Sequence, residues 1–515
     1  MSEMPSSTPT VLWRRPSAAR RLGLSFALLL AACGVAPAGP DGGRTPASPA
    51  ASAESGLSSA VRKPRLKLAA VRLDPLLDEL EARSFKYFWD LADPVNGLVP
   101  DRWPDGQLPG FSSIAAVGFG LTAYPIGVRR GYVSRAAARD RVLATLRFFA
   151  TAPQGPEPEG TAGYRGFFYH FLNMNTGARY GPDVELSSID TALLLAGALA
   201  CQSFFDGADP GETEIRNLAD ALYRGAEWTF LQPRPPLVAM GWTPEHGLHD
   251  HDWRGYDEAM ILYVLALGSP THPVSPQAWQ EYTKTYTWAD WYGQEYVAFP
   301  PLFGHQYSHV WIDFRGIQDD YMRAKGIDYF ENSRRAVLAQ RAYAIANPGG
   351  WAGYGESVWG VTACDGPADV TLTYKGTPRR FYTYAGRGVG ATFILDDGTV
   401  APTAAAASLP FAPEIATPAV RAMYERYGNN LWSTYGFLDA FNPTFTFDVK
   451  PAMGRIVPGV GWFATDYLGL DQGPIVAMIE NYRSGFVWSL MRTNPYVVSG
   501  LRRAGFAGGW LDRAP

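Results

Sequence analysis

With 515 residues, 47% of them apolar and 18% charged, the chain has ample material for a large core and the composition of a folded protein. Its net charge is −4 and its body carries no dense Lys/Arg block, so it lacks the electrostatic footprint of a nucleic-acid binder. The length alone would allow two or three domains, although large barrels fold as one.

At the N-terminus, Arg14, Arg15, Arg20 and Arg21 precede "LGLSFALLLAAC", an apolar run too short to span a membrane as a mature helix and typical of an export signal. It ends in Leu30-Ala31-Ala32-Cys33, which resembles a bacterial lipobox, with Cys33 as the lipidated residue after cleavage. An ordinary signal peptide with a chance cysteine is the alternative, and the paired arginines also permit the twin-arginine route. Without Cys33 the chain has Cys201 and Cys364, too few for a disulfide framework, and Cys201 in "TALLLAGALACQSFF" is expected to be a buried free thiol. Residues 34–70 are rich in Ala, Pro, Gly and Ser and read as a disordered tether.

The catalytic-size domain is expected over 71–515. Asp74 and Pro75 suit the start of a first helix. Helical spacing then recurs at 112–130, 134–150, 187–205, 212–230, 256–267, 275–291, 313–325, 333–346, 417–428 and 472–493, with weaker signals at 401–409 and 495–504. Ser112, Ser134, Ser187, Ser275 and Ser333 are placed as caps. Roughly a dozen helices exceed a four-helix bundle. "SSIAAVGFGLTAYPIG", "IDTALLLAGALA" and "EAMILYVLALG" are apolar nearly all round, whereas "SRAAARDRVLATLRFF" and "ETEIRNLADALYRGAEW" carry a charged face. All-round apolarity marks an inner helix and a charged face an outer one. The expected fold is therefore all-α, an (α/α)6 toroid. Long connections at 92–111, 152–186, 231–255, 293–312, 347–400 and 441–471 should gather at one end and build a pocket, with a short hairpin in "DVTLTYKGTPRRFYTYAGRG".

In "YDEAMILYVLALGSPTHP", Asp257 and Glu258 head an apolar run. Acids in a first helical turn are favoured by the helix dipole without any catalysis. The pattern recurs, however, with Glu185 and Asp190 before "TALLLAGAL", with Asp313, Asp319 and Asp320 in "WIDFRGIQDDYM", with Glu356 in "GYGESVWG", and with Asp466 and Asp471 before "QGPIVAMIENY". Acids that converge on an apolar pocket separate in pKa, and one protonated beside one ionised carboxyl is what glycosidic cleavage requires. Glu258 is expected to be the protonated member because its helix is so apolar.

Aromatic residues are 14% of the chain, and Trp103, Trp242, Trp253, Trp291, Trp311, Trp351, Trp359, Trp432 and Trp462 fall in or beside the loops. Their flat faces match sugar C–H faces, while Asp190, Asp313, Arg315, Gln318, Asp319, Asp320 and His309 can bond hydroxyls. Packing of the long loops is the structural alternative for any one tryptophan. A metal is weighed from "EHGLHDHD", with His246, His249, His251, Asp250 and Asp252, and from His305 and His309 in "GHQYSHVW". Gln306 stands where zinc proteases need Glu, and no metal is expected. There is no Walker loop, Rossmann glycine fingerprint or serine nucleophile elbow.

The segments "YHFLNMNTG", "ELSSIDTALLLAG", "YDEAMILYVLALGSPTHP", "PPLFGHQYSHVWIDFRGIQDDYMRAKGIDYFENSRRA", "NPGGWAGYGESVWGVTACDGP" and "LDQGPIVAMIENYRSGFVW" resemble the bacterial glucoamylase-like family that includes the endo-β-1,2-glucanases of glycoside hydrolase family 144. The likeness spans about residues 74–505. It implies an (α/α)6 fold, hydrolysis of β-1,2-glucan to sophorooligosaccharides with inversion, and no obligate cofactor. It puts the essential glutamate on Glu258 and a further pocket acid on Glu185, with Asp471 and Glu356 as candidates for the base and a water-relayed proton as an option. Where the family often carries an amide before that glutamate, this chain has Asp257.

The reading is of a monomeric, lipid-anchored envelope hydrolase with Glu258, Glu185, Asp471 and Glu356 as catalytic candidates and Trp253, Trp311, Trp359, Trp462, His309 and the hydroxyl-bonding residues above on the substrate. A transglycosylase or phosphorylase on the same scaffold, and a non-catalytic surface glycan-binding lipoprotein, are the alternatives.

Overall fold

The computed structural model describes residues 73–104 and 110–514. The export signal, Cys33 and the tether of 34–70 lie outside the described residues. The first helix, α1 (Pro75–Leu91), starts as its sequence dictates: Asp74 accepts a hydrogen bond from the Leu76 amide and Pro75 opens the first turn.

Six helices with buried sides all round form an inner ring: α2 (Ile114–Arg130), α4 (Ser188–Phe204), α6 (Met260–Gly268), α8 (Tyr307–Trp311), α11 (Pro402–Ala406) and α13 (Gly469–Ser484). Each packs on its neighbours, and Gln306, just before α8, joins it to α11 by donating to the Ala404 carbonyl. Around them stand α1, α3 (Arg135–Thr151), α5 (Pro210–Gly225), α10 (Tyr329–Ala346), α12 (Pro413–Leu431) and α15 (Pro495–Arg503). The outer partner of α6 is not its successor in the chain but the C-terminal α15. Short α7 (Gln277–Thr283), α9 (Asp320–Lys325) and α14 (Phe486–Met491) complete the described helices. This is an (α/α)6 barrel, and one apolar cluster runs through it from Leu77 to Leu511. Cys201 and Cys364 are buried and unbridged.

Several expectations are corrected in detail. The segment 275–291 does not stay helical, because Trp288–Trp291 turns through Tyr292 and Gly293, both at positive φ, to pair with Gln294–Val297. Of 313–325, only α9 is helical. Conversely, α8 lies inside the stretch 293–312 read as a connection. The caps are Ser113 rather than Ser112 for α2, and Asp328 rather than Ser333 for α10; Ser275 caps nothing, whereas Ser134 and Ser187 cap as read. The hairpin forms with Val370–Tyr374 opposite Thr377–Phe381.

The crossing of α2 on α4 is close, and two glycines permit it. A methyl on Gly197 would stand 2.1 Å from the Gly118 carbonyl oxygen, and one on Gly118 2.3 Å from that of Leu193. Neither obstacle can rotate away, since both are backbone. Gly197→Ala is therefore expected to cost about 1–3 kcal/mol or more by overpacking, read as a lower denaturant midpoint; an unchanged midpoint contradicts this crossing.

Candidate active site

Residues just before or within the first turns of α4, α6, α8 and α13 line one cleft. Short extended segments feed inner helices: Phe111–Ser113 into α2, Leu186–Ser187 into α4 and Tyr467–Leu468 into α13. The cleft measures about 790 Å³ including its open mouth, and His170, Glu185, Asp190, Trp253, Glu258, Tyr307, Tyr384 and Leu470 are among its lining residues.

One wall is built on α4. Ser187 caps the helix by accepting from the Asp190 amide, and its hydroxyl donates to Asp190 Oδ2 at 2.5 Å. Beside it, His170 Nδ1 lies 2.7 Å from Glu185 Oε1 and 3.6 Å from Asp190 Oδ2. Burial alone would discharge His170, but the carboxylates of Asp190 and Glu185 outweigh it and push the imidazole up to about 9. Burial likewise opposes the charge on Glu185, yet the His170 cation and its hydrogen bond hold Glu185 below its ordinary range. Asp190 is raised, by burial first.

Glu258 sits in the turn that leads into α6, two residues ahead of the helix rather than inside it. Ser308 of α8 fixes this turn, donating to the Glu258 carbonyl at 2.9 Å and accepting from the Ile261 amide at 3.0 Å. The carboxyl is 6% exposed at residue level, and its Oε2 has no hydrogen-bond partner in the protein. Burial, reinforced by the charges of Asp257 and Asp190, raises Glu258 well above the usual carboxylate range. Asp257 turns away from the cleft, with Oδ1 accepting from the Ala259 amide and the Tyr282 hydroxyl.

A second acidic wall rises at the start of α13. Asp471 and Asp439 are hydrogen-bond partners, and burial comes first in raising both; the charge of Asp365 adds to it at Asp439, which reaches about 7, and the charge of Asp439 adds to it at Asp471. Neither Asp439 Oδ1 nor Asp471 Oδ2 finds a donor among the protein's other groups, so a proton held between the two carboxyls satisfies both. Asp439 Oδ2 accepts from the Asp365 amide, and Arg102 bridges Asp365 at 3.1 Å and Asp466 at 3.3 Å, with Asp101 at 3.7 Å. Tyr307 stands between the walls and feels the charges of Asp471, Glu258 and Asp190.

The structure thus brings Glu258, Glu185, Asp190 and Trp253 together in the lining of one cleft, while Asp471, next in sequence to the lining residue Leu470, is buried beside Asp439. It does not bring the other expected residues to the cleft. Glu356 is an exposed side chain paired with Arg341. Asp313 follows the far end of α8, where Arg315 and Arg492 neutralise it, and Arg315 lies over Trp488. Gln318 donates to the Ile327 carbonyl, Asp319 caps α9 while accepting from Trp279 and Tyr329, and Asp320 is an exposed partner of Arg323. Those groups are spent on holding chain segments together.

Trp311 stacks on Phe119 and donates to Thr122, Trp462 donates to the Met453 carbonyl, and Trp359 is buried. His309 is buried against Phe314 and Phe411, with Nε2 on Ser333. Of the weighed metal motif, His249 lines the cleft while His246 and His251 are exposed. Among the described residues, the atoms close enough to share a cation belong instead to His170, Glu185 and Asp190, whose ligand atoms lie within 4.8 Å of one another.

His170, Asp101, Arg102, Asp365, Asp439, Tyr307 and Tyr384 escaped the sequence reading. Most come from loops without periodicity. For His170, its place in "YHFLNMNTG", one of the segments that carry the resemblance, was the available signal.

The family model described as "Glycoamylase: Putative glucoamylase" matches residues 250–495. A crystal structure of a "putative glucoamylase" from Bacteroides uniformis is 32% identical and superposes with a TM-score of 0.70 over 84% of this chain and 98% of that one. The chain belongs to the glucoamylase-like family. Within this family, the endo-beta-1,2-glucanase of Chitinophaga pinensis, solved with sophorotriose and glucose, is 28% identical with a TM-score of 0.71 over 84% of this chain and 98% of that one. An exo beta-1,2-glucooligosaccharide sophorohydrolase (non-reducing end) of Parabacteroides distasonis is 30% identical over 84% of this chain; the chain spans 58% of that relative's length.

Asp257, the buried acid next to Glu258, offers a test of this electrostatics. Burial raises its carboxyl to about 7, against about 3.9 in an unfolded chain. Because the folded state holds the proton more tightly, the resulting stability is complete below the unfolded value and is lost as pH climbs through the folded one. Asp257→Asn replaces the carboxyl by a permanently neutral group of the same shape. Its melting temperature relative to the natural chain should therefore improve from pH 5 to pH 8, and a difference that does not change with pH contradicts the assignment.

Proposed function

We propose that this protein is an inverting glycoside hydrolase that cleaves β-1,2-linked glucan to sophorooligosaccharides. In this reading Glu258 is the general acid and protonates the leaving glycosidic oxygen. The Asp471–Asp439 pair, holding one proton between two carboxyls, keeps one negative charge with which Asp471 draws a proton from the attacking water, directly or through a relaying hydroxyl. His170 keeps Glu185 ionised, so Glu185 can accept from sugar hydroxyls, and Trp253 offers an aromatic face.

The observation that carries the reading is a single cleft lined by a carboxyl that burial keeps protonated, Glu258, and a carboxylate that His170 keeps ionised, Glu185. That pairing is the requirement of acid–base glycoside cleavage. The β-1,2-glucan specificity is supported by the names of the Chitinophaga and Parabacteroides relatives. We further propose export and lipid anchoring through Cys33, which would put the enzyme in the bacterial cell envelope, acting as a monomer.

The test is incubation of the chain lacking residues 1–33 with linear β-1,2-glucan and a panel of other glucans, followed by product sizing and anomeric NMR. The expected result is a ladder of β-1,2-linked oligosaccharides appearing first as the α-anomer. Release of one disaccharide alone would make the enzyme exo-acting, and first appearance of the β-anomer would exclude inversion. Glu258→Gln should lower turnover by about 10²–10⁴-fold or more, as loss of a general acid does, with little change in folding or ligand affinity. Near-normal turnover would remove Glu258 from the mechanism.

A further inference from the structure

Behind the second acidic wall lies another cavity, and we propose that it is an accessory binding site for a neutral glycan chain. Arg102 and Trp103 pair with Leu468 and Tyr467 in one short antiparallel ladder. Successive side chains on such a ladder point to opposite faces. Arg102 accordingly turns to Asp365 and Asp466 at the catalytic wall, while Trp103 and Tyr467 line the cavity on the other side. The ladder is thus shared, with the cleft's acids on one face and this cavity on the other.

The cavity holds about 450 Å³, inside the range of about 300–1,000 Å³ usual for small-ligand sites. Trp103, Trp432, Tyr435 and Tyr467 supply its aromatic surface, and Asn429 and Arg455 supply polar groups. Trp103 is 40% exposed, among the few large apolar side chains that the fold leaves in solvent. Arg455 is positioned by donating to Asn430 Oδ1 at 3.0 Å. Flat aromatic faces beside amide, hydroxyl and guanidinium donors suit the alternating C–H faces and hydroxyls of a sugar. Arg455 is the one charged residue lining the cavity, which is too little positive charge for a polyanion.

The occupant follows from the shared ladder: a second stretch of the glucan that the cleft takes, held while another stretch is cut. The identity of that glucan rests on the proposed function, whereas the existence of the site does not.

Full-length chain and its Trp103→Ala and Arg455→Ala variants would be compared on polymeric β-1,2-glucan and on a short β-1,2-linked oligosaccharide. Mobility in native gels containing each glucan of a panel would be recorded in parallel. Both variants should raise KM for the polymer roughly three- to ten-fold, the scale of losing one aromatic or charged sugar contact. Both should leave kcat and KM for the short oligosaccharide unchanged and reduce retardation by the polymer. Arg455 is exposed, so its variant keeps the test open if Trp103→Ala folds poorly. Unchanged polymer KM and unchanged retardation in folded variants would overturn the accessory site while leaving the hydrolase intact. If the natural chain cleaves no β-1,2-glucan but is retarded by another glucan in a Trp103- and Arg455-dependent way, the site stands and the proposed substrate falls.

Discussion

The structure depends on a competition at one end of the barrel between burial, which discharges carboxyls, and the amide ends of inward-facing helices, which favour their charge. Residues at the starts of α4, α6, α8 and α13 line one cleft there, so an acid placed at one of these starts is drawn into the same contest. Its outcome differs from site to site because the local partners differ. Glu185 has His170 and is held low; Glu258 is pushed up by burial and by the charges of Asp257 and Asp190; Asp471 and Asp439 are pushed up by burial and by neighbouring acids. A set of residues alike in type thereby acquires distinct protonation preferences.

The inner ring also explains why the site is rigid. Gly118 and Gly197 let α2 and α4 meet backbone to backbone, and Ser308 ties the start of α6 to α8 through the Glu258 carbonyl and the Ile261 amide. The carboxyl that must not titrate freely is thus carried on a turn whose main chain is fixed by a neighbouring helix. The second acidic wall is fixed differently, by Arg102 spanning Asp365 and Asp466 across a distance of hundreds of residues in sequence.

Sequence alone carried the ring because all-round apolarity in α2, α4 and α6 has no other explanation in a folded chain. Glu258 was legible for the same reason, as a charge at the head of a run with nowhere polar to go. The helix α8 was not, since five residues between glycine- and proline-rich segments give no periodicity to count. Asp439, Asp365 and Arg102 lie in loops and meet only in three dimensions. The opposite error arose in "WIDFRGIQDDYM", whose acids looked like a substrate cluster but cap α9 and neutralise arginines at the far end of α8. Most of the loop tryptophans misled in the same way, because long loops need large apolar side chains of their own to pack against the barrel.

The protonation state of Glu258 tests the central claim most directly. Carboxyl-selective difference infrared spectroscopy of the natural chain against Glu258→Gln, recorded across neutral pH, should reveal a protonated carboxyl at pH 7 that vanishes in the variant. A Glu258 side chain already ionised at that pH would contradict the account, because the cleft would then lack the neutral acid around which its opposing walls are organised.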